Sequence, residues 1–307
     1  MNRTRVRVSS PTEQVNPATT DIDVVPTLEL VELLNEQDAL VPGAVAQVLP
    51  TLAGLVDAAA IRVSAGGRVH YFGAGTSGRL GVLDAAELLP TFGVFAGVVV
   101  AHQAGGPAAF LQAVEDAEDD EDGHDTAAVN DADVVIGLAA SGRTPYVGAA
   151  LAAARAVGAA TALVTSNPDA PLAELADYLL VAPTGPEALT GSTRLKAGTA
   201  QKLILNMFST ALMVRLGHSY QNLMVDMRAT NAKLRGRSVE LLIQATGADE
   251  RECADALDLC GELKTALVYL LALRAPSAAT VTPQRCRAAL ETAGGQARQA
   301  LDELAMP

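Results

Sequence analysis

Apolar residues in "TLELVELLNEQD", 27 to 38, recur at three- and four-residue spacing, which predicts a helix with one buried face. A longer helical pattern follows Pro42 and Gly43, through "AVAQVLPTLAGLVDAAAIRVSAG". Pro50 lies inside it and should break or kink it, because proline lacks the N–H and crowds the preceding turn. Beyond residue 67 the pattern changes to short apolar runs that alternate with helical ones. "RVHYFG", "FAGVVVAH", "DVVIGLAA", "ATALVTS" and "YLLVAP" read as strands. Between them "LGVLDAAELL", "AAFLQAVEDAED", "TPYVGAALAAARAVG" and the short "LAELA" read as helices. The strand runs are continuously apolar, as strands covered on both faces must be. The fold class is therefore α/β, a doubly wound, mostly parallel sheet.

A long apolar helix, "TAQKLILNMFSTALMVR" at 199–215, closes this unit. After Arg237 short helices take over. "CADALDLCGELKTAL" at 253–267 and "CRAALETAGGQARQAL" at 286–301 share an order of Cys, Ala-Leu, a Gly turn and Ala-Leu. They predict two small helical hairpins. The expected organisation is a flexible N-terminal arm over 1–20, an α/β domain over 21–235 and a small helical subdomain over 236–307.

Half of the 307 residues are hydrophobic, so a large core is available, and with 3% aromatics it must be aliphatic and Ala-rich. A net charge of −13 without a basic stripe argues against nucleic acid as a partner. Cys253, Cys260 and Cys286 are odd in number and form no C-x-x-C pair, which predicts free thiols in a reducing, cytoplasmic setting. Arg3, Arg5 and Arg7 are not followed by an apolar run, so no signal peptide is expected. No stretch approaches the ~20 apolar residues of a membrane span.

Gly73, Gly75 and Gly78 spell G-x-G-x-x-G between a strand and a helix. A dinucleotide site also needs an acidic residue at the end of the second strand, for the ribose hydroxyls. That strand ends in Ala101, His102 and Gln103. The loop instead carries two hydroxyls, Thr76 and Ser77. Backbone N–H groups, a helix N-terminus and hydroxyls together make a seat for a small phosphate. Ser141, Gly142, Arg143 and Thr144 repeat this chemistry after the strand "VVIGLAA". Each loop alone also reads as a plain tight turn. Together, at the carboxyl ends of two parallel strands, they fit a sugar phosphate. "TGSTRLKAGTAQK", 190–202, offers Gly191, Ser192, Arg194 and Lys196 before the closing helix, and reads equally as a third wall or as a basic loop with an N-cap.

Glu87 follows the glycine loop among Ala85, Ala86, Leu88 and Leu89. It reads either as an exposed helix-end residue or as an acid–base group in apolar surroundings. In "AVEDAEDDEDGHD", Glu115 and Glu118 are spaced to share a helix face, and either could reach the crevice. Composition does not choose between them. His70, His102, His124 and His218 are scattered, without metal-ligand spacing, and neither a nucleophile elbow nor a Walker sequence is present. No cofactor is expected.

The segments "TEQVNPATTDIDVVPTLELVELLNEQD", "GAGTSGRLGVLDAAELLPTFG", "AVEDAED", "AASGRTPYV", "TGSTRLKAGTAQKLILNMFSTALM" and "NLMVDMRATNAKL" closely resemble the N-acetylmuramic acid 6-phosphate etherases of the sugar isomerase (SIS) superfamily. They run from residue 12 to about 234. The same segments are shared in part with the animal glucokinase regulatory protein. The resemblance implies a metal-free carbon–oxygen lyase that uses water to cleave the D-lactyl ether of N-acetylmuramic acid 6-phosphate. The products are N-acetylglucosamine 6-phosphate and D-lactate. It further implies cytoplasmic cell-wall sugar recycling and a homodimer, since SIS-type sites are often completed by a neighbouring subunit. The family's two catalytic glutamates fall on Glu87 and Glu118. Together with the loops read above, the expected sugar-phosphate contacts are Gly75, Thr76, Ser77, Ser141, Gly142, Thr144 and Ser192. Near "DAAELLP" the family often has Ser or Cys where this chain has Ala and Leu. Two rivals stand beside it: an aldose–ketose phosphosugar isomerase on the same fold and, from another class, a non-catalytic sugar-phosphate-binding regulator. Retention of both glutamates argues against the second.

Overall fold

The structure is a computed structural model, and it describes residues 10–94, 97–112, 114–121, 128–227, 232–275 and 281–305. Arg3, Arg5, Arg7, Ala113, His124 and the 122–125 part of the acidic run lie outside the described residues. So does 228–231 of the "NLMVDMRATNAKL" segment. By contacts the chain divides into two units, 1–86 with 97–209 and 87–96 with 210–307.

The first unit begins with two 3-10 turns, Pro11–Glu13 and Pro17–Thr19, within the stretch expected to be a flexible arm. Thr12, Asn16 and Thr19 are buried there. Helices α1 (Thr27–Asp38), α2 (Val41–Ala46) and α3 (Leu49–Ser64) follow. Pro50 sits in the first turn of α3, where its missing N–H costs nothing. The break expected at this proline is real: α1–α2 and α3 are bent by 59°. Among the described residues no single helix is long and apolar enough to cross a membrane.

The sheet comprises β1 (Val69–Gly73), β2 (Val99–Gln103), β3 (Val134–Leu138), β4 (Ala160–Thr165) and β5 (Tyr178–Val181). All neighbours are parallel, in the order β2-β1-β3-β4-β5. Every residue of β1, β3 and β4 is buried, which accounts for their unbroken apolar runs. The connecting helices are α4 (Gly75–Phe92), α5 (Ala108–Leu111) and α6 (Pro145–Ala156), with α7 (Lys196–Arg215) closing the unit. "LAELA" is a 3-10 turn, Ala173–Leu175. The scattered histidines are less scattered in space: His70 on β1 and His102 on β2 meet, Nδ1 to Nε2 at 3.0 Å.

One expected helix is broken. The run 108–119 is α5 up to Leu111, then extended at Gln112 (φ −133°), left-handed at Asp116 (φ 60°), then a 3-10 turn over Ala117–Asp119. Four carboxylates crowd this end, at 115, 116, 118 and 119. Negative charge at a helix C-terminus opposes the helix dipole, and like charges three or four apart repel. Glu115 and Glu118 therefore do not share a helix face.

The second unit adds a two-residue hairpin, β6 (Ser219–Tyr220) with β7 (Leu223–Met224), which is too short to leave a sequence pattern. Helices α8 (Ala232–Thr246), α9 (Glu250–Cys260), α10 (Leu263–Leu273), α11 (Pro283–Thr292) and α12 (Ala297–Ala305) complete it. The two predicted hairpins are α9–α10 and α11–α12. Asp249 caps α9 by accepting from Glu252 N, and Gly261 ends it at φ 77°. All three cysteines are free and buried, and burial pushes the Cys260 thiol up to about 11.

Two features fix α4 to the sheet. The first is the close approach of Gly73 and Gly78. A Cβ on Gly73 would lie 2.7 Å from Gly78 N, and one on Gly78 would overlap the Gly73 carbonyl oxygen and the Gln103 side chain. The second is buried Asp84, which accepts from Tyr71 Oη at 3.0 Å, Asn206 Nδ2 at 2.8 Å and Ser209 Oγ at 3.0 Å. One carboxylate thus joins α4, β1 and α7. Burial holds its carboxyl above the ordinary 3.8, against the lowering effect of its three donors.

Gly78→Ala should cost about 2 kcal/mol in urea unfolding, because a rigid backbone carbonyl occupies the methyl's place. A variant as stable as the parent would show that the strand and helix can move apart. For Asp84 the folded state binds the proton more tightly than the unfolded state. Its stabilising contribution is complete below 3.8 and is lost as pH rises through the higher folded-state value. Asp84→Asn carries no such titration, so parent stability relative to D84N should fall as pH rises above 3.8. Urea curves of both proteins from acid to neutral pH test this, and a pH-independent difference would contradict it.

Candidate active site

The strand order reverses between β1 and β3. β1 leads through α4 to β2 on one side, and β3 leads through α6 to β4 on the other. In open α/β sheets, ligands bind at such a switch point, beyond the carboxyl ends of the strands. Both loops singled out by sequence lie there. Gly73, the last residue of β1, pairs in register with Leu138, the last of β3. Gly75, Thr76 and Ser77 therefore open α4 beside Ser141, Gly142 and Thr144, which lead into α6.

The glycines do three distinct jobs. Gly75 takes φ 55°, a left-handed turn out of the strand, and Gly73 and Gly78 permit the contact described above. Gly142 takes φ 65°, and a methyl there would overlap the Ala170 side chain. Thr165 Oγ1 donates to the Ala140 carbonyl at 3.1 Å, and Asn167 Nδ2 donates to the Ser141 carbonyl at 2.9 Å, so β4 braces the second loop. The hydroxyl residues Thr76, Ser77, Ser141 and Thr144 all keep partial exposure.

The third loop is held from within. Glu187 is buried and accepts from the backbone N–H of Lys196 at 2.8 Å and of Ala197 at 3.0 Å, capping α7. Burial raises its carboxyl above the usual range. Lys196, also buried, donates Nζ to Gln37 Oε1 at 2.9 Å, and burial lowers its pKa. Gln37 Oε1 accepts again from Asn16 Nδ2 at 2.7 Å. Lys196 is thus turned inward, and two N–H groups of the α7 terminus are already taken. Ser192 and Arg194 keep exposure on this loop. The N-terminal residues pack on it too: Gly191 N donates to the Thr12 carbonyl at 3.0 Å, and Thr19 Oγ1 to the Ala188 carbonyl at 2.8 Å. Sequence reasoning missed this network and Asp84. The polar residues of "TEQVNPATT" were the available signal.

A cavity of about 200 Å³ is lined by Gly75, Arg79, Gln103, Glu115 and Glu118, among others. It joins the glycine loop to the acidic segment, so both sequence candidates, Glu115 and Glu118, reach it. The position where a dinucleotide site would place its acid is Gln103, paired in register with Gly73. Glu87 lies on α4 in an exposed position, between exposed Leu83 and Leu89. By contacts it groups with the second unit. A larger cavity of about 820 Å³ belongs to the second unit, where Asp226 pairs with His218 at 2.6 Å and Lys264 at 2.5 Å. None of the sequence-predicted site residues lines it. Among the described residues no three His, Cys, Asp or Glu side chains converge as a metal cluster.

The chain is similar to several known proteins. Residues 95–211 match the SIS domain family. The N-acetylmuramic acid 6-phosphate etherase of Thermobifida fusca is 57% identical over 267 residues, 86% of this chain and 88% of its own. That of Pectobacterium atrosepticum is 51% identical over 294 residues, 94% of this chain and 95% of its own. Among solved structures, a phosphoheptose isomerase from Francisella tularensis aligns with 62% of this chain and 100% of its own, at 16% identity and a TM-score of 0.49. At such identity over nearly its full length, this chain belongs to the N-acetylmuramic acid 6-phosphate etherase family.

Proposed function

We propose that the protein cleaves the D-lactyl ether of N-acetylmuramic acid 6-phosphate with water, giving N-acetylglucosamine 6-phosphate and D-lactate. Family membership supports the reaction. The observation that supports the site is the cavity that Gly75 and Glu118 both line at the sheet's switch point. In this reading Gly75, Thr76, Ser77, Ser141, Gly142, Thr144 and Ser192 hold the sugar phosphate through N–H groups and hydroxyls.

An alkyl ether resists direct displacement. In the open-chain sugar, however, the C2 proton is acidic because C2 is α to the aldehyde, and the ether oxygen at C3 is β to it. Glu118 removes the C2 proton while the C3–O bond breaks. Glu87 protonates the departing lactate oxygen. Water, deprotonated by Glu87, then adds at C3 of the unsaturated aldehyde, and C2 is reprotonated. The two glutamates can exchange roles without altering the atom balance.

We further infer a homodimer that works in the cytoplasm, in cell-wall sugar recycling. Leu83 and Leu89, each 51% exposed beside Glu87, give a second copy an apolar surface to cover. The three buried free thiols suit a reducing compartment.

Purified protein given N-acetylmuramic acid 6-phosphate should release D-lactate. Glu87→Gln and Glu118→Gln should each lower kcat by about 10²–10⁴-fold, the usual contribution of a general acid or base. In labelled water the product should carry deuterium at C2 and oxygen-18 at C3. Retention of the original C3 oxygen would exclude elimination and re-addition. Tight substrate binding without lactate would point to a regulator, and a ketose product to an isomerase.

A further inference from the structure

We propose that Arg79 is a positioning residue that holds the segment carrying Glu118 against the glycine loop; the inference rests on the etherase reading above. Arg79 belongs to "TSGRLG", but the phosphate seat gives it no task. Its side chain reaches the end of α5 instead. Nε donates to the Phe110 carbonyl at 3.0 Å, and Nη2 donates to the carbonyls of Ala109 at 2.8 Å and Gln112 at 3.3 Å. One guanidinium therefore gathers three carbonyls at the end of a four-residue helix.

Those carbonyls need a partner. The last four carbonyls of a helix have none within it, and so short a helix is not stable alone. A cation at this end also suits the helix dipole. The large apolar side chains add little packing, because Phe110, Leu111 and Val114 are 41%, 85% and 45% exposed. Small side chains supply the rest: Ala109 is buried, Ala117 packs against the main core, and the Cβ atoms of Ala109, Val114 and Ala117 close around Gly105. From Gln112 the chain needs six more residues to reach Glu118, through the extended Gln112 and left-handed Asp116. Arg79 and Glu118 line the same cavity. The fork thus sets where the acidic segment sits relative to the first turn of α4. A lysine could bind one of these carbonyls but not present a planar fork to three.

The test compares the parent, Glu118→Gln, Arg79→Ala, Arg79→Lys and R79A in the E118Q background, by D-lactate release and by amide hydrogen exchange. In R79A, kcat should fall by about 10²-fold with KM little changed, the scale expected when a catalytic group is misplaced by about an ångström. R79K should recover only part of the loss. In the E118Q background R79A should add less than about twofold, because residues that act through one another are not additive. The amides of 108–119 should exchange at least about tenfold faster in R79A, as local opening becomes easier. Full activity in R79A, a multiplicative loss on top of E118Q, or unchanged exchange each overturns the inference. Should R79A fail to fold, R79K carries the same comparison, with an expected loss of about tenfold. Failure of the etherase reading shows separately: the parent itself would release no lactate, and the positioning role would fall with it. With an active parent and an impaired E118Q, a fast R79A sinks the Arg79 inference alone.

Discussion

Strand β1 runs into helix α4 with no side chain between them. Gly73 and Gly78 touch backbone to backbone, and Gly75 supplies the left-handed turn that makes this possible. The approach fixes where the first turn of α4 begins. That turn carries Thr76 and Ser77, presents its N–H groups at the switch point, and aims Arg79 at α5. Gly75 and Arg79 of this turn line the cavity shared with Glu118. A glycine motif shared with dinucleotide sites thus answers a packing need first, and its ligand is decided by what surrounds it.

Around that contact, buried polar groups specify the arrangement rather than merely filling the interior. Asp84 ties α4 to β1 and α7 through three neutral donors. Glu187, Lys196, Gln37 and Asn16 tie the α7 terminus to α1 and to the N-terminal turns. An unpaired buried charge is costly, so each group accepts only the geometry that satisfies it. Both networks lie beside loops with exposed hydroxyls. Thr76, Ser77, Ser141, Thr144 and Ser192 themselves keep partial exposure.

For the chemistry, what matters is that the acidic segment is not helical where it reaches the cavity. A continuous helix over 108–119 would have set Glu115 and Glu118 one turn apart on a regular surface. The break at Gln112 and the left-handed Asp116 bring both onto the cavity wall instead. Membership in the etherase family then gives Glu118 its proposed role, and gives Glu87 its own.

Local pattern was enough for much of this. Continuous apolar runs located all five strands of the main sheet, and helical spacing located α1, α4, α6, α7 and the C-terminal hairpins. Burial on both faces and the 3.6-residue period are properties of short stretches. The hydroxyl-bearing loops were legible for the same reason, since glycine and hydroxyl chemistry at a strand-to-helix turn is local. The fate of 108–119 was not, because charge accumulating at one end outweighed its spacing. Asp84, Lys196 and Glu187 resemble ordinary surface charges until the fold supplies partners from 122, 159 and 9 residues away. Arg79 likewise meets its carbonyls some thirty residues on. The sequence by itself determined most of the elements, the fold class and the family, because these follow from near neighbours and long motifs. Only the tertiary structure decided which polar groups are buried and paired, and which remain exposed to a ligand, because pairing depends on distances that close when the chain is folded.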